Sequence, residues 1–155
     1  MDRELLDAWN SLNKGGRFHS LTNSQQHKVT LFDSFTESFL DKDKIIVANP
    51  LWNLSIPTYL KAWFDAITVA GKTFKYTETG SVGLLKGKKA LHIQANGGIY
   101  NGSDPASQYV KTMFDFLGIT DFEQLFVEGM DHHPEKADEI VSTAIQKATN
   151  LAKTF

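Results

Sequence analysis

Lys44-Ile-Ile-Val-Ala-Asn-Pro50 decides the fold. A short, unbroken apolar run stopped by a proline reads as a parallel strand buried on both faces, since a strand with one wet face would alternate. Working back from it, Val29, Phe32, Phe35 or Thr36, and Phe39 recur at helical spacing within 22–40, predicting an amphipathic helix capped by Thr22 or Asn23. Residues 3–13 place Leu5, Leu6, Trp9 and Leu12 on another stripe, and Gly15 supplies a left-handed cap to end that helix. Working forward, Ser55 is the expected cap of a helix with Pro57 in its first turn. Ile56, Leu60, Trp63, Phe64 and Ile67 form its buried face, and Gly71 ends it. The run from Lys72 to Tyr76, with Gly80 and Gly83, predicts a short hairpin or extended excursion. Lys88–Gln94 is a second core strand, followed by the glycine-rich loop Ala95–Gly102 and a helix from about Asp104 to Leu117. A third strand spans Phe122–Glu128, and a closing helix over Pro134–Ala152 carries Ile140, Ala144, Ala148 and Leu151 on one side. Strands alternating with helices predict an α/β fold with a parallel sheet and right-handed crossovers.

The chain has 155 residues, the length of one domain, and residues 1–155 are expected to form a single one. Hydrophobic residues at 41% and charged residues at 22% exclude a disordered or fibrous chain. Sixteen Lys and Arg against 18 Asp and Glu give a formal charge of -2, with no basic block suited to phosphates, so no nucleic acid partner is expected. The absence of cysteine excludes disulfides, thiolate metal sites and a cysteine nucleophile, and points to the cytoplasm. Met1–Trp9 does not read as a secretory signal, and no apolar stretch approaches membrane-spanning length, so no membrane association is expected.

Ligands of open α/β sheets settle beyond the carboxyl ends of the strands, which directs attention to the loops after residues 49 and 94. Pro50-Leu-Trp-Asn-Leu-Ser-Ile-Pro57 sets Trp52 and Asn53 between two prolines. It reads either as a rigid loop whose amides face a planar heteroaromatic ring or as an ordinary connection with Trp52 in the core. Asn96-Gly97-Gly98 either admits a ligand close to the backbone or is a plain turn. No dinucleotide fingerprint or phosphate-binding P-loop occurs. His132-His133 lacks a third ligand at a recognised spacing, so no metal is expected. His92 reads as a hydrogen-bonded structural histidine within a strand, and Ser55 and Ser81 have no nucleophile context, so no side chain is assigned a catalytic role.

Asn49-Pro-Leu-Trp-Asn-Leu-Ser-Ile-Pro57, followed by Leu60-Lys61 and Phe64-Asp65, resembles the signature of FMN-dependent NAD(P)H azoreductases, members of the flavodoxin-like quinone reductase group. The resemblance continues through Ala70–Thr77, Gly83–Ala90, Gly97-Gly98-Ile99, Phe116–Asp121 and Glu128-Gly129. It implies a flavodoxin-like three-layer α/β sandwich that reduces azo or quinone compounds with NADH or NADPH through FMN, by ping-pong transfer. It also implies that Leu51, Trp52, Asn53 and Leu54 line the flavin ring and that Ala95, Asn96, Gly97 and Gly98 form its second loop. Ala95 and Asn96 depart from the serine and arginine usual in this family. By the same resemblance Tyr76 and Tyr100 belong to the substrate pocket; a homodimer or higher assembly is expected from the incomplete sheet and the apolar faces of the helices at 3–13 and 56–69.

Family members open with a strand, a serine-containing phosphate loop, a helix and a second strand, whereas Lys44 is preceded here by two helices. The expectation is therefore an N-terminally truncated sandwich, a fragment or a shortened gene product. The alternative reading is a non-catalytic truncated module that self-associates and binds no flavin.

Overall fold

The structure, a computed structural model, describes residues 2–155, and the chain divides into two compact units, one ending at Asp41 and one over Lys42–Phe155. The first unit holds helix α1 (Arg3–Asn13), a 3-10 turn over Phe18–Ser20, and helix α2 (Asn23–Leu40). Asp2 caps α1 by accepting from the Leu5 amide, and Thr22 caps α2 in a reciprocal box with Gln25. Gly15 takes the left-handed conformation just beyond α1, as its position in the sequence requires. Leu5, Ala8, Leu21 and Val29 form this unit's core, against which Trp9, Leu12 and Phe32 pack. Trp9 meets Phe32 edge-on at 4.4 Å between ring centroids. At the two positions left open by the helical stripe, Thr36 is buried and Phe35 exposed.

The second unit contains strand β1 (Lys44–Pro50), helix α3 (Thr58–Ile67), the hairpin β2 (Phe74–Thr77) and β3 (Gly80–Gly83), strand β4 (Lys89–Asn96), helix α4 (Pro105–Leu117), strand β5 (Asp121–Glu128) and helix α5 (Ala137–Leu151). A 3-10 turn over Pro134–Lys136 leads into α5. The main sheet is parallel, in the order β1-β4-β5. Register pairs Asn49 with Gln94 and Gln94 with Phe126, so the carboxyl ends of β1, β4 and β5 lie side by side. One face carries Ile45, Val47 and Asn49 of β1 beside Ala90, His92 and Gln94 of β4, and α4 lies over it. α3 packs on α4 through Phe64, whose ring meets Phe114 at 5.6 Å and Tyr109 at 5.7 Å. α5 lies on the opposite face, with Ala144 and Ala148 beside Ile93, Leu125 and Val127 around an apolar cleft of about 150 Å³.

Two expectations need correction. β1 is not buried on both faces: Lys44, Ile46 and Ala48 are exposed, Ile46 to 59%. The physical reason is that α5 covers the β4–β5 side of its face and does not extend over the middle of β1. Ser55 does not cap α3; Pro57 takes that position without a side-chain bond, because Ser55 is held in the preceding turn. The hairpin is anchored where β3 meets the end of α4. A Cβ on Gly83 would fall 2.2 Å from the Gly118 nitrogen and the Leu117 carbonyl carbon, so only glycine fits there. Among the described residues no helix is long and apolar enough to cross a membrane.

Candidate functional site

The two loops singled out in the sequence meet at the carboxyl edge of the sheet. The Leu51 amide donates to the Ala95 carbonyl at 3.0 Å, continuing the β1–β4 ladder one step past the strand. Trp52 and Ser55 exchange amide–carbonyl bonds at 3.0 and 2.9 Å, closing a two-residue turn around Asn53 and Leu54. Both central residues are left-handed, with φ of 50° and 61°. Asparagine tolerates this conformation; for leucine it costs about 1 kcal/mol or more. Pro50 and Pro57 flank the turn, and its hydrogen-bonded closure leaves the Asn53 and Leu54 amides without a protein acceptor among the described residues. Trp52 and Leu54 stand 61% and 53% exposed beside them. Flat apolar surface next to unsatisfied donors matches the edge and face of a planar heteroaromatic ring. Trp52 is therefore not a core residue.

The second loop is built from inside. Gly97 lacks a Cβ because the Asp131 carboxylate fills that space, and Gly98 because the Tyr100 ring lies over it. The Asp131 and Gly129 amides donate to the Gly97 and Gly98 carbonyls, both at 3.1 Å. Asn96 turns its side chain inward, donating to the Gly98 carbonyl at 2.7 Å and to Glu128 Oε1 at 3.3 Å, so it shapes the loop from below. Ala95 is exposed beside it. Glu128 also accepts from the amides of Tyr100 and Asn101 at 3.3 and 3.0 Å, tying the rest of the loop to the end of β5. Tyr76 sits on the hairpin, 76% exposed, with its ring edge-on to Phe74.

Beneath both loops lies a buried polar layer that the sequence analysis did not assemble. His92 Nε2 is 2.9 Å from Asn49 Oδ1, and Gln124 Nε2 is 3.2 Å from His92 Nδ1. Asn49 Nδ2 reaches the Pro50 carbonyl at 3.0 Å and Gln94 Oε1 at 3.4 Å. Gln94 Nε2 donates to Asp104 Oδ2 at 3.1 Å, and Asp104 caps α4 by accepting from the Ser107 amide at 2.9 Å and its hydroxyl at 2.6 Å. Burial pushes the Asp104 carboxyl up, but the Ser107 and Gln94 hydrogen bonds together hold it below the ordinary value. Burial holds His92 down to about 4, against the lesser pull of Asp104 in the other direction. His92 is thus the hydrogen-bonded structural histidine that the sequence indicated. The available signal for the layer was its spacing: polar His92, Gln94 and Asn96 fall at every second position of β4 after Ala90, with Leu91, Ile93 and Ala95 between them, and Asn49 stands opposite Gln94.

Comparison with known proteins places this geometry among relatives. A family model described as a flavodoxin-like fold matches residues 2–152. The FMN-dependent NADH:quinone oxidoreductase of Streptococcus suis is 43% identical over 155 residues, which are the whole of this chain and 75% of that protein. The crystal structure of an azoreductase from Bacillus anthracis str. Sterne superposes with a TM-score of 0.87 at 34% identity, covering 100% of this chain and 76% of that one. An FMN-dependent NADH-azoreductase from Bacillus anthracis str. Ames Ancestor, solved in complex with FMN, gives 0.83 at 36% identity, covering 98% and 74%.

The buried imidazole sets a pH dependence. Between its ordinary value of 6.5 and about 4, the unfolded chain binds a proton that folded His92 refuses, so stability falls as pH drops through that window. The accumulated loss is about 3 kcal/mol. Denaturant melts between pH 7 and 4 should show this slope in the wild type and its reduction in His92→Gln; parallel curves would remove His92 as the cause.

Proposed function

The chain belongs to the flavodoxin-like fold family, and from that premise we propose that it is an FMN-dependent NADH oxidoreductase of quinone and azo compounds in the cytoplasm. The observation that carries the reading is the pairing of the 51–54 turn with the 95–98 loop at the sheet edge, where the Leu51 amide meets the Ala95 carbonyl. Bound FMN supplies the redox chemistry, accepting two electrons from NADH and passing them to the acceptor. The protein's task is to bind and orient the ring. Leu51, Trp52, Asn53 and Leu54 offer one wall, with the free Asn53 and Leu54 amides as donors to its polar edge. Ala95, Asn96, Gly97 and Gly98 form the second wall, held in shape by Asp131 and Glu128. Tyr100, over Gly98, and Tyr76, on the hairpin, are assigned to the acceptor side. No side chain acts as acid or base.

Two further readings accompany this one. The family model runs through residues of both compact units, which supports treating residues 1–155 as one domain. Self-association is proposed from β1, which pairs with β4 alone among the described residues and presents Ile46 on its uncovered face. An open strand edge beside exposed apolar surface favours a second copy of the chain as its cover.

Anaerobic titration of the purified chain with FMN should perturb the flavin absorption spectrum. NADH should then bleach it, and a quinone or azo dye should restore it; a flavin spectrum that the protein leaves unchanged would refute the reading. Calorimetry should give one cooperative unfolding transition, with two separated transitions contradicting a single domain. Light scattering at micromolar concentration should return at least a dimer, and a monodisperse monomer would count against self-association.

A further inference from the structure

We propose that the half-buried side chain of Gln124 and the buried side chains of His92, Asn49, Gln94 and Asp104 form a one-way hydrogen-bond chain that orients one peptide plane in each ring-binding loop, making His92 and Gln94 positioning residues for the flavin. This rests on the flavin reading for its ligand, but its geometry is independent of it.

The direction follows from the donor inventory. An ionised Asp104 can only accept, and it already takes the Ser107 amide and hydroxyl, so Gln94 must aim its Nε2 at it and its Oε1 away. Gln94 Oε1 then accepts from Asn49 Nδ2, which turns Asn49 Oδ1 toward the histidine. His92 must donate from Nε2, and its bare Nδ1 accepts from Gln124 Nε2. One carboxylate thereby fixes the orientation of three amides and the tautomer of one imidazole. Asn49, His92, Gln94 and Asp104 are all buried, so none of them can exchange its partner for water.

The chain has two exits, and each ends on a loop carbonyl. Asn49 Nδ2 grips the Pro50 carbonyl at 3.0 Å, fixing the peptide whose Leu51 amide donates to Ala95. Gln94 Nε2 also approaches Asn96 Oδ1 at 3.3 Å, so that Asn96 Nδ2 must face the Gly98 carbonyl, at 2.7 Å. The opposite side of that second peptide is the Ile99 amide, which has no protein acceptor among the described residues. A layer serving packing alone would be better apolar, since buried polar groups contribute little net stability even when satisfied. Its second outlet instead leaves the Ile99 amide free for a ligand's hydrogen-bonding edge, while its first fixes the peptide that joins the two loops. Because burial keeps His92 uncharged at neutral pH, the polarity of the chain does not reverse under working conditions.

The test uses the full chain with and without FMN. Asp104→Asn keeps a good helix cap while removing the obligate acceptor. In the flavin-free protein, 15N NMR should show His92 as the Nε2–H tautomer. In Asp104→Asn that tautomer should mix with its counterpart, and the Leu51 and Ile99 amide resonances should move. FMN affinity should fall about tenfold in Asp104→Asn. His92→Gln, which can still donate to Asn49 and accept from Gln124, should restore most of the affinity that His92→Leu loses. An Nδ1–H tautomer in the wild type, unmoved Leu51 and Ile99 amides in a folded Asp104→Asn, or equal affinities for the Gln and Leu variants would overturn the proposal. A wild-type chain that takes up no FMN overturns the parent reading, while the tautomer and the two amides still decide the positioning chain.

Discussion

Parallel pairing of β1 with β4 is the constraint on which the site depends. Because the two strands run in the same direction and Asn49 sits opposite Gln94, both chains leave the sheet at the same level, and the loops that follow cannot avoid each other. The bond from Leu51 to Ala95 is this pairing carried one residue too far, into segments that no longer have strand geometry. An antiparallel arrangement would have sent the same two loops to opposite ends of the sheet. The site's location is thus a consequence of topology, and local sequence has only to shape what topology has juxtaposed.

The shaping is done with polar groups placed where a sheet of this kind ordinarily carries aliphatic ones. Along β4 the face toward α4 changes from Ala90 to His92, Gln94 and Asn96 as the strand approaches the site, while the chain's apolar burial is concentrated around Phe64, Val110, Phe114 and Leu117. The core therefore grades from oily to hydrogen-bonded along a single strand. Such a gradient gives up hydrophobic stabilisation of about 1.5–3 kcal/mol per side chain. It gains orientation, since an amide with two fixed partners holds one direction and a leucine holds none.

Much of this was legible in the residues. The unbroken run at 45–48, the capping Thr22, and the glycine at 15 after an apolar stripe specify elements by local chemistry, and the elements form where that chemistry puts them. The loops were legible as candidates because they follow the carboxyl ends of β1 and β4, while the family resemblance of Asn49–Pro57 and Gly97-Gly98-Ile99, and not their composition, favoured ligand loops over plain connections. What was not legible depends on contacts distant in sequence. The exposure of Ile46 is decided by where α5, about ninety residues later, happens to lie. Ser55 has a good capping side chain, but the turn that claims its backbone is defined by Trp52 and two left-handed residues, which no propensity for leucine foretells. The linkage of Gln94 to Asp104 crosses ten residues, and that of Asn96 to Glu128 thirty-two; neither has a spacing rule.

Leu54 answers to two opposed selective demands. It holds a left-handed backbone that glycine would adopt freely, and it presents its side chain outward beside Trp52. On the proposed flavin reading, folding stability and ligand contact therefore pull in opposite directions at one codon. A library screened for heat resistance will enrich glycine there and discard the apolar surface in the process, whereas one screened for turnover will keep the leucine and accept the weaker fold. Position 54 is where the two histories of such a library would first diverge.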